Sequence, residues 1–154
     1  MKKNKFTNQI FTTNNFKETQ KLGEDFARSL LARPQGETLI VALYGDLGSG
    51  KTTFVQGLAQ GMGIKSRIIS PTFVIIRSHE LKEGTFYHVD LYRTESEKDI
   101  ESVGLEEIMS DSRNIVVIEW AEKLKSFLPK KRIDIEFLNE EENVRKIMFR
   151  SSDQ

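Results

Sequence analysis

Leu39-Ile40-Val41-Ala42-Leu43-Tyr44, then Gly45-Asp46-Leu47-Gly48-Ser49-Gly50-Lys51-Thr52, then Thr53-Phe54-Val55: on this stretch the fold turns. The first six residues run almost without a polar break, as strands do when both faces are covered in the middle of a parallel sheet. The next eight fit G-x-x-x-x-G-K-[ST]. Phe54, Val55, Leu58, Ala59 and Met62 then recur at helical spacing, which predicts a helix from about Lys51 that Gly61 and Gly63 end. Buried strand, glycine turn and amphipathic helix together are the context in which the pattern has a mechanism. Glycines let the backbone turn with its N–H groups facing inward as an anion nest. The helix N-terminus adds partial positive charge. Lys51 reaches β and γ phosphates, and the Thr52 hydroxyl is a ligand for Mg²⁺. Asp46, Leu47, Gly48, Ser49, Gly50 and Thr53 complete the cradle. A plain glycine turn with a surface lysine would need neither the strand nor the helix face.

On the N-terminal side, Asn15 is a good helix N-cap with Glu18 placed to reach back. Leu22, Phe26 and Leu30, joined by Ala27 and Leu31, form one helical face that Pro34 and Gly36 stop. A short, weakly patterned strand precedes it around Gln9 to Thr13. On the C-terminal side, Phe73 to His79 and Thr85 to Val89 read as an antiparallel hairpin across Lys82, Glu83 and Gly84. Glu95 to Asp111 holds short helical material, and Ile115, Val116, Val117 and Ile118 form a second apolar strand. Ile133, Ile135 and Phe137 alternate with Asp134 and Glu136; a charged turn, Asn139 to Asn143, leads to a partner strand around Arg145 to Phe149. The pattern predicts an α/β chain: a three-layer P-loop NTPase-like domain with parallel central strands and antiparallel edge strands, one domain over 1–154.

Composition narrows the partners. The chain has 154 residues, with 23 Lys plus Arg against 23 Asp plus Glu. A neutral chain lacks the cationic surplus that neutralises a phosphate backbone, so strong direct nucleic-acid binding is not expected. There is no Cys, and the only two His are His79 and His88, which exclude thiolate chemistry and a multi-His zinc site. The run from Leu39 to Tyr44 is too short to span a bilayer. The basic start, Met1 to Lys5, leads into no long apolar segment, so a cytoplasmic location is expected.

A phosphate loop needs an acid to hold Mg²⁺ or its waters, at the end of a neighbouring strand. Glu119 follows Ile118 directly and Asp90 follows Val89; both should emerge at the sheet edge where ligands bind. The pattern favours Glu119 for Mg²⁺ and Asp90 for positioning water or supporting that group, with Lys51 as the third catalytic residue. A surface acid at a strand end is the plainer reading of each. Trp120, the only Trp, either packs beside a base or ribose or fills core. Thr72, in the turn Ser70-Pro71-Thr72, is either a γ-phosphate sensor or a turn residue, and His88 reads as a packed strand residue. Arg93 is a candidate for stabilising transition-state charge, with Arg67, Arg77 and Arg113 competing. With no clear finger in cis, slow hydrolysis awaiting a partner follows. No D-x-x-G or N-K-x-D lies downstream of the loop, which disfavours a GTPase, and the L-S-G-G-Q transporter signature is missing.

Four motifs in order, GDLGSGKTTF (Gly45–Phe54), SPTF (Ser70–Phe73), YHVDLYR (Tyr87–Arg93) and IEW (Ile118–Trp120), with ETQKLG (Glu18–Gly23) before them, resemble the bacterial TsaE/YjeE family. These are ATPases required for the threonylcarbamoyladenosine (t6A) modification of tRNA. The resemblance spans Glu18 to Pro129 and is loose beyond it; Ser49 stands where the family often has Ala. It implies ATP as nucleotide, Mg²⁺ held by Thr52 and Glu119, an Asp90 needed for activity and a Trp120 close to the nucleotide. It implies that the segment before the first helix borders adenine, with Thr13, Asn14 or Asn15 nearest. It also implies partnership with the TsaB–TsaD pair, where TsaD performs the carbamoyl transfer and hydrolysis by this protein resets the complex. The acidic stretch of Glu95, Glu97, Asp99, Glu101, Glu106, Glu107 and Asp111 is either a docking face for a basic partner or a solvated helical face. A nucleotide-gated binding module that remodels its partner without hydrolysis is the main alternative, and a small-molecule kinase a weaker one.

Overall fold

The two apolar runs pair with each other, and the other strands are placed around that pair. In the computed structural model, which describes residues 5–32, 36, 38–65, 76–101 and 103–151, β1 (Ile10–Thr13), β2 (Leu39–Tyr44), β3 (Ile76–Glu80), β4 (Thr85–Asp90), β5 (Asn114–Glu119), β6 (Ile133–Glu141) and β7 (Val144–Ser151) form one sheet in the order β1-β7-β6-β2-β5-β4-β3. The inner strands β6, β2, β5 and β4 are parallel. Antiparallel β7 and β1 close one edge and antiparallel β3 the other. This is the parallel centre with antiparallel edges that the sequence predicts. The motif Ser70-Pro71-Thr72-Phe73, together with Pro34 and Arg67, lies outside the described residues.

Helices α1 (Phe16–Leu31) and α2 (Lys51–Gly61) cover one face of the sheet. The other is covered by the short helices α3 (Glu97–Glu101) and α4 (Leu105–Ser110) and a 3-10 segment, Ala121–Phe127. The side chains sort by strand parity. Val41, Leu43, Val117 and Ile135 face α1 and α2, whereas Ile40, Ala42, Val116 and Ile118 face the shorter helices. That two-sided burial explains why β2 and β5 read as continuous apolar runs. Phenylalanines fill the α1–α2 side: the Phe26 ring lies 5.1 Å from Phe149 and the Phe54 ring 5.5 Å from Phe137.

Local signals were followed with small shifts. Asn15 Oδ1 accepts from the Glu18 N–H at 2.9 Å, and Glu18 reaches back one residue further than an ordinary capping box, to the Asn14 N–H at 2.9 Å. The charged turn predicted over Asn139 to Asn143 is mostly ladder. β6 and β7 keep pairing, with a register shift between Asn139 and Glu141, and only Glu142 and Asn143 remain as the turn. Asn143 takes the left-handed conformation (φ 67°) that such a tight reversal demands. Among the described residues no helix is long and apolar enough to cross a membrane.

The contact between α1 and α2 is exceptionally close, because both helices carry glycine where they meet. A Cβ on Gly57 would lie 2.0 Å from the Gln20 carbonyl oxygen. In an exposed helix, Gly→Ala adds roughly 1 kcal/mol of stability. Here the sign reverses: Gly57→Ala forces the helices apart and lowers the unfolding free energy by about 1–3 kcal/mol, the usual cost of overpacking. Urea unfolding of the two proteins measures it.

Candidate functional site

The chain leaves β2 at Tyr44, turns through the glycine-rich loop and enters α2 at Lys51. Gly50, the N-cap, has φ 100°, a conformation that a side chain would strain, and it frees the first N–H groups of α2 to face the loop's hollow. The Ser49 N–H donates to the Asp46 carbonyl at 3.1 Å, tightening the turn. The Ser49 hydroxyl is buried with no hydrogen-bond partner among the described residues. An orphaned hydroxyl inside an amide-lined loop suits a polyanion.

Lys51 is only 5% exposed. Its ammonium donates to the Gly45 carbonyl and stands 4.2 Å from the centre of the Trp120 ring. Burial lowers its pKa, against the opposing pull of Glu119 and weaker contributions from Glu122, Asp90 and Asp46. A desolvated cation with a carbonyl and a ring as its neighbours is poised to exchange them for anionic oxygens.

The parallel register sets the acids. Leu43 of β2 is opposite Glu119 of β5, and Glu119 is opposite Asp90 of β4, so both carboxylates leave the sheet at the edge where the loop begins. They are not equivalent. Glu119 Oε1 accepts from the Thr52 hydroxyl at 3.4 Å, and Oε2 lies 2.5 Å from His88 Nε2. Against a carboxylate the ring nitrogen is the donor, and Nδ1 is left without a partner among the described residues. Asp90 Oδ1 instead accepts from the Tyr92 N–H at 2.9 Å, an Asx-type turn that fixes the chain beyond β4. Trp120 follows with φ 60° and ψ 41°, a left-handed conformation for a bulky residue. Its ring is set against Tyr92, 5.1 Å between centres.

A cleft of about 460 Å³ opens over the loop. Leu47, Gly48, Ser49, Gly50, Lys51, Thr52 and Thr53 form its floor. Asp90, Tyr92, Glu119 and Trp120 form one wall, and Asn15, Phe16, Thr19, Asn143 and Arg145 the other. Of the residues named from sequence, Asp46 gives its carbonyl to the loop turn and does not line the cleft. Thr13 is buried with its hydroxyl 2.7 Å from that of Thr19, and Asn14 contacts Glu18; only Asn15 of the three faces the cleft. Thr72 lies outside the described residues. Arg77, Arg93 and Arg113 do not line the cleft, and Arg113 pairs with Asp111 at 3.0 Å. The sequence reading missed Arg145 and Asn143, because their approach depends on long-range strand pairing. Phe16 was missed for another reason: it shares the helical face of Gly23 and Ala27, as a core residue would, yet as the first residue of α1 it is 63% exposed.

The residues fit a divalent cation shared with phosphates. Thr52 and Glu119 offer adjoining oxygens, and among the described residues no group of three or more His, Cys, Asp or Glu stands together. Mg²⁺ takes one or two protein oxygens and the rest from phosphates and water, so a sparse acidic set is what it requires. In the acidic stretch part of the charge is used locally: Asp99 accepts from the Glu95 and Ser96 N–H groups at 3.0 and 3.3 Å, and Asp111 pairs with Arg113.

Central parallel strands, a glycine loop running into a helix, and acids at the neighbouring strand ends define a P-loop NTPase-like domain. Residues 13–147 match the family described as Threonylcarbamoyl adenosine biosynthesis protein TsaE, and the chain belongs to that family. A relative from Rickettsia felis, tRNA threonylcarbamoyladenosine biosynthesis protein TsaE, is 38% identical over 143 residues, covering 91% of this chain and 80% of its own. A Bacillus subtilis protein of the same name is 38% identical over 110 residues, 71% of this chain and 68% of its own. The crystal structure of Bacillus subtilis YdiB superposes with a TM-score of 0.72 at 29% identity, over 94% of this chain and 85% of that one.

His88 ties the hairpin strand β4 to Glu119 through a buried bond. His88→Leu removes the donor and leaves a carboxylate oxygen unsatisfied, which lowers the unfolding free energy by about 1–3 kcal/mol. Denaturant titration of the variant against the parent checks this.

Proposed function

We propose that this chain is a Mg²⁺-dependent ATPase of t6A biosynthesis, a single cytoplasmic P-loop domain that works with the TsaB–TsaD pair to sustain multiple turnovers of tRNA modification. The observation that carries the reading is the convergence of Lys51, Thr52 and Glu119 at the end of the parallel strands, over a loop whose N–H groups face the same hollow. The loop amides and the Lys51 ammonium bind the triphosphate, and Thr52 and Glu119 hold the cation. When bound, Mg²⁺ neutralises charge on the β- and γ-phosphate oxygens. Asp90, on the strand beside Glu119, orients the attacking water. Trp120 and Tyr92 wall off that side from bulk solvent and hold Lys51 in reach. Recognition of tRNA belongs to the partners, since this chain has no cationic surplus.

Lys51→Ala should abolish measurable ATP binding by titration calorimetry, because it removes a charge-assisted contact to the phosphates. Unchanged affinity would refute the phosphate-loop reading. Glu119→Gln keeps the shape of the site and should retain ATP while hydrolysis falls by about 10²-fold or more. The same variant, reconstituted with TsaB, TsaD and tRNA, distinguishes an engine from a switch. Arrest of t6A synthesis after a single turnover supports the ATPase; undiminished multiple turnover favours a module gated by binding alone.

A further inference from the structure

Arg145 sits on β7, opposite Thr13 of β1, and projects over the loop from the wall away from the acids. Its Nη2 donates to the Gly48 carbonyl at 3.1 Å, and its Nη1 to the carbonyls of Val144 at 3.3 Å and Glu141 at 3.5 Å. A Cβ added to Gly50 would meet Arg145 Cγ at 3.8 Å and Nε at 3.9 Å, so the side chain lies along the loop. All three contacts are to neutral carbonyl oxygens. The Nε–H and one Nη2–H are left without a protein partner among the described residues, so the guanidinium keeps two donors to offer an oxyanion.

We infer that Arg145 is a phosphate clamp: it grips the α- and β-phosphates of the nucleotide from the β7 side, in cis. This rests on the nucleotide reading above and deepens it. The strand order decides which phosphates are meant. β7 and β5 lie on opposite sides of β2. Lys51, Thr52 and Glu119 converge on the β5 side, where the γ-phosphate must lie for Mg²⁺ and water to reach it. Arg145, anchored at Gly48 and beside Gly50, faces the part of the ligand nearer the nucleoside, next to Asn15 and Phe16. A cation there strengthens ground-state binding of di- and triphosphate alike. It also bridges the hairpin turn to the loop, so ligand binding and hairpin position become coupled.

The test compares Arg145→Gln and Arg145→Lys with the parent chain, using calorimetry with Mg–ADP and Mg–ATP and steady-state hydrolysis. Arg145→Gln should weaken ADP and ATP by the same factor, about tenfold. The loss in kcat/KM should fall on KM. Arg145→Lys, which keeps the charge and loses the fork, should lie between the two proteins for both ligands. A kcat loss with ADP affinity unchanged would overturn the clamp and make Arg145 a γ-phosphate finger. Unchanged affinity for both ligands would also overturn it and reduce the residue to a brace on the loop. If Arg145→Gln does not fold by circular dichroism, Arg145→Lys carries the same ADP-against-ATP comparison. Lys51→Ala separates the two failures: if it too binds ATP normally, the nucleotide reading fails; if it alone is dead, only the clamp does.

Discussion

The parallel pairing of β2 with β5 is the constraint on which the rest depends. It puts Leu43 level with Glu119, so the acid leaves the sheet two residues from the first glycine of the loop. Parallel strands expose their carboxyl ends together, and that edge is where a loop, a helix N-terminus and strand-end acids can meet. β4 adds Asp90 on the same level, and His88 two residues earlier on the strand reaches Glu119. On the other side of β2, β6 carries the hairpin whose return strand brings in Arg145. A shift of one residue between β2 and β5 would send Glu119 to the opposite face and separate it from Thr52.

The site is built from groups that do little for the fold's own stability. Among the described residues Lys51 is desolvated with no carboxylate bond, the Ser49 hydroxyl and His88 Nδ1 are buried without partners, and Trp120 is held at positive φ. Each such feature costs of order 1–3 kcal/mol. They are tolerated because the sheet and the closely packed α1–α2 pair are otherwise consistent, from apolar periodicity to capping. The desolvated Lys51, the orphaned Ser49 hydroxyl and the left-handed Trp120 meet in one cleft, which marks a site shaped for a ligand.

What was legible in the sequence was what local chemistry determines. The loop, its strand and its helix are contiguous, so their relation needs no tertiary knowledge. Asn15 and Glu18 announced the start of α1, and the apolar runs announced β2 and β5. Glu119 and Asp90 were legible because a strand end is a position the sequence can mark. The His88–Glu119 bond was not, because a histidine inside an apolar strand looks the same whether its neighbour is a leucine or an acid. Arg145 was hidden more deeply: its role exists only once β7 has paired with both β6 and β1, and nothing within its own stretch separates it from any strand arginine. The hairpin turn was placed too early because charged residues mark solvent exposure, and an exposed edge ladder is as wet as a loop.

The pairing of β1 with β7 gives the order of synthesis a meaning. A nascent chain that has emerged through β5 already holds the loop, α2 and both acids. Arg145, on the opposite wall, waits for β7, made more than twenty residues later. Until then β1 has no neighbour in the sheet, since β7 is its only pairing partner among the described strands. A chain interrupted before β7 would carry the phosphate-loop motif, α2 and both acids without the guanidinium that faces them across the cleft.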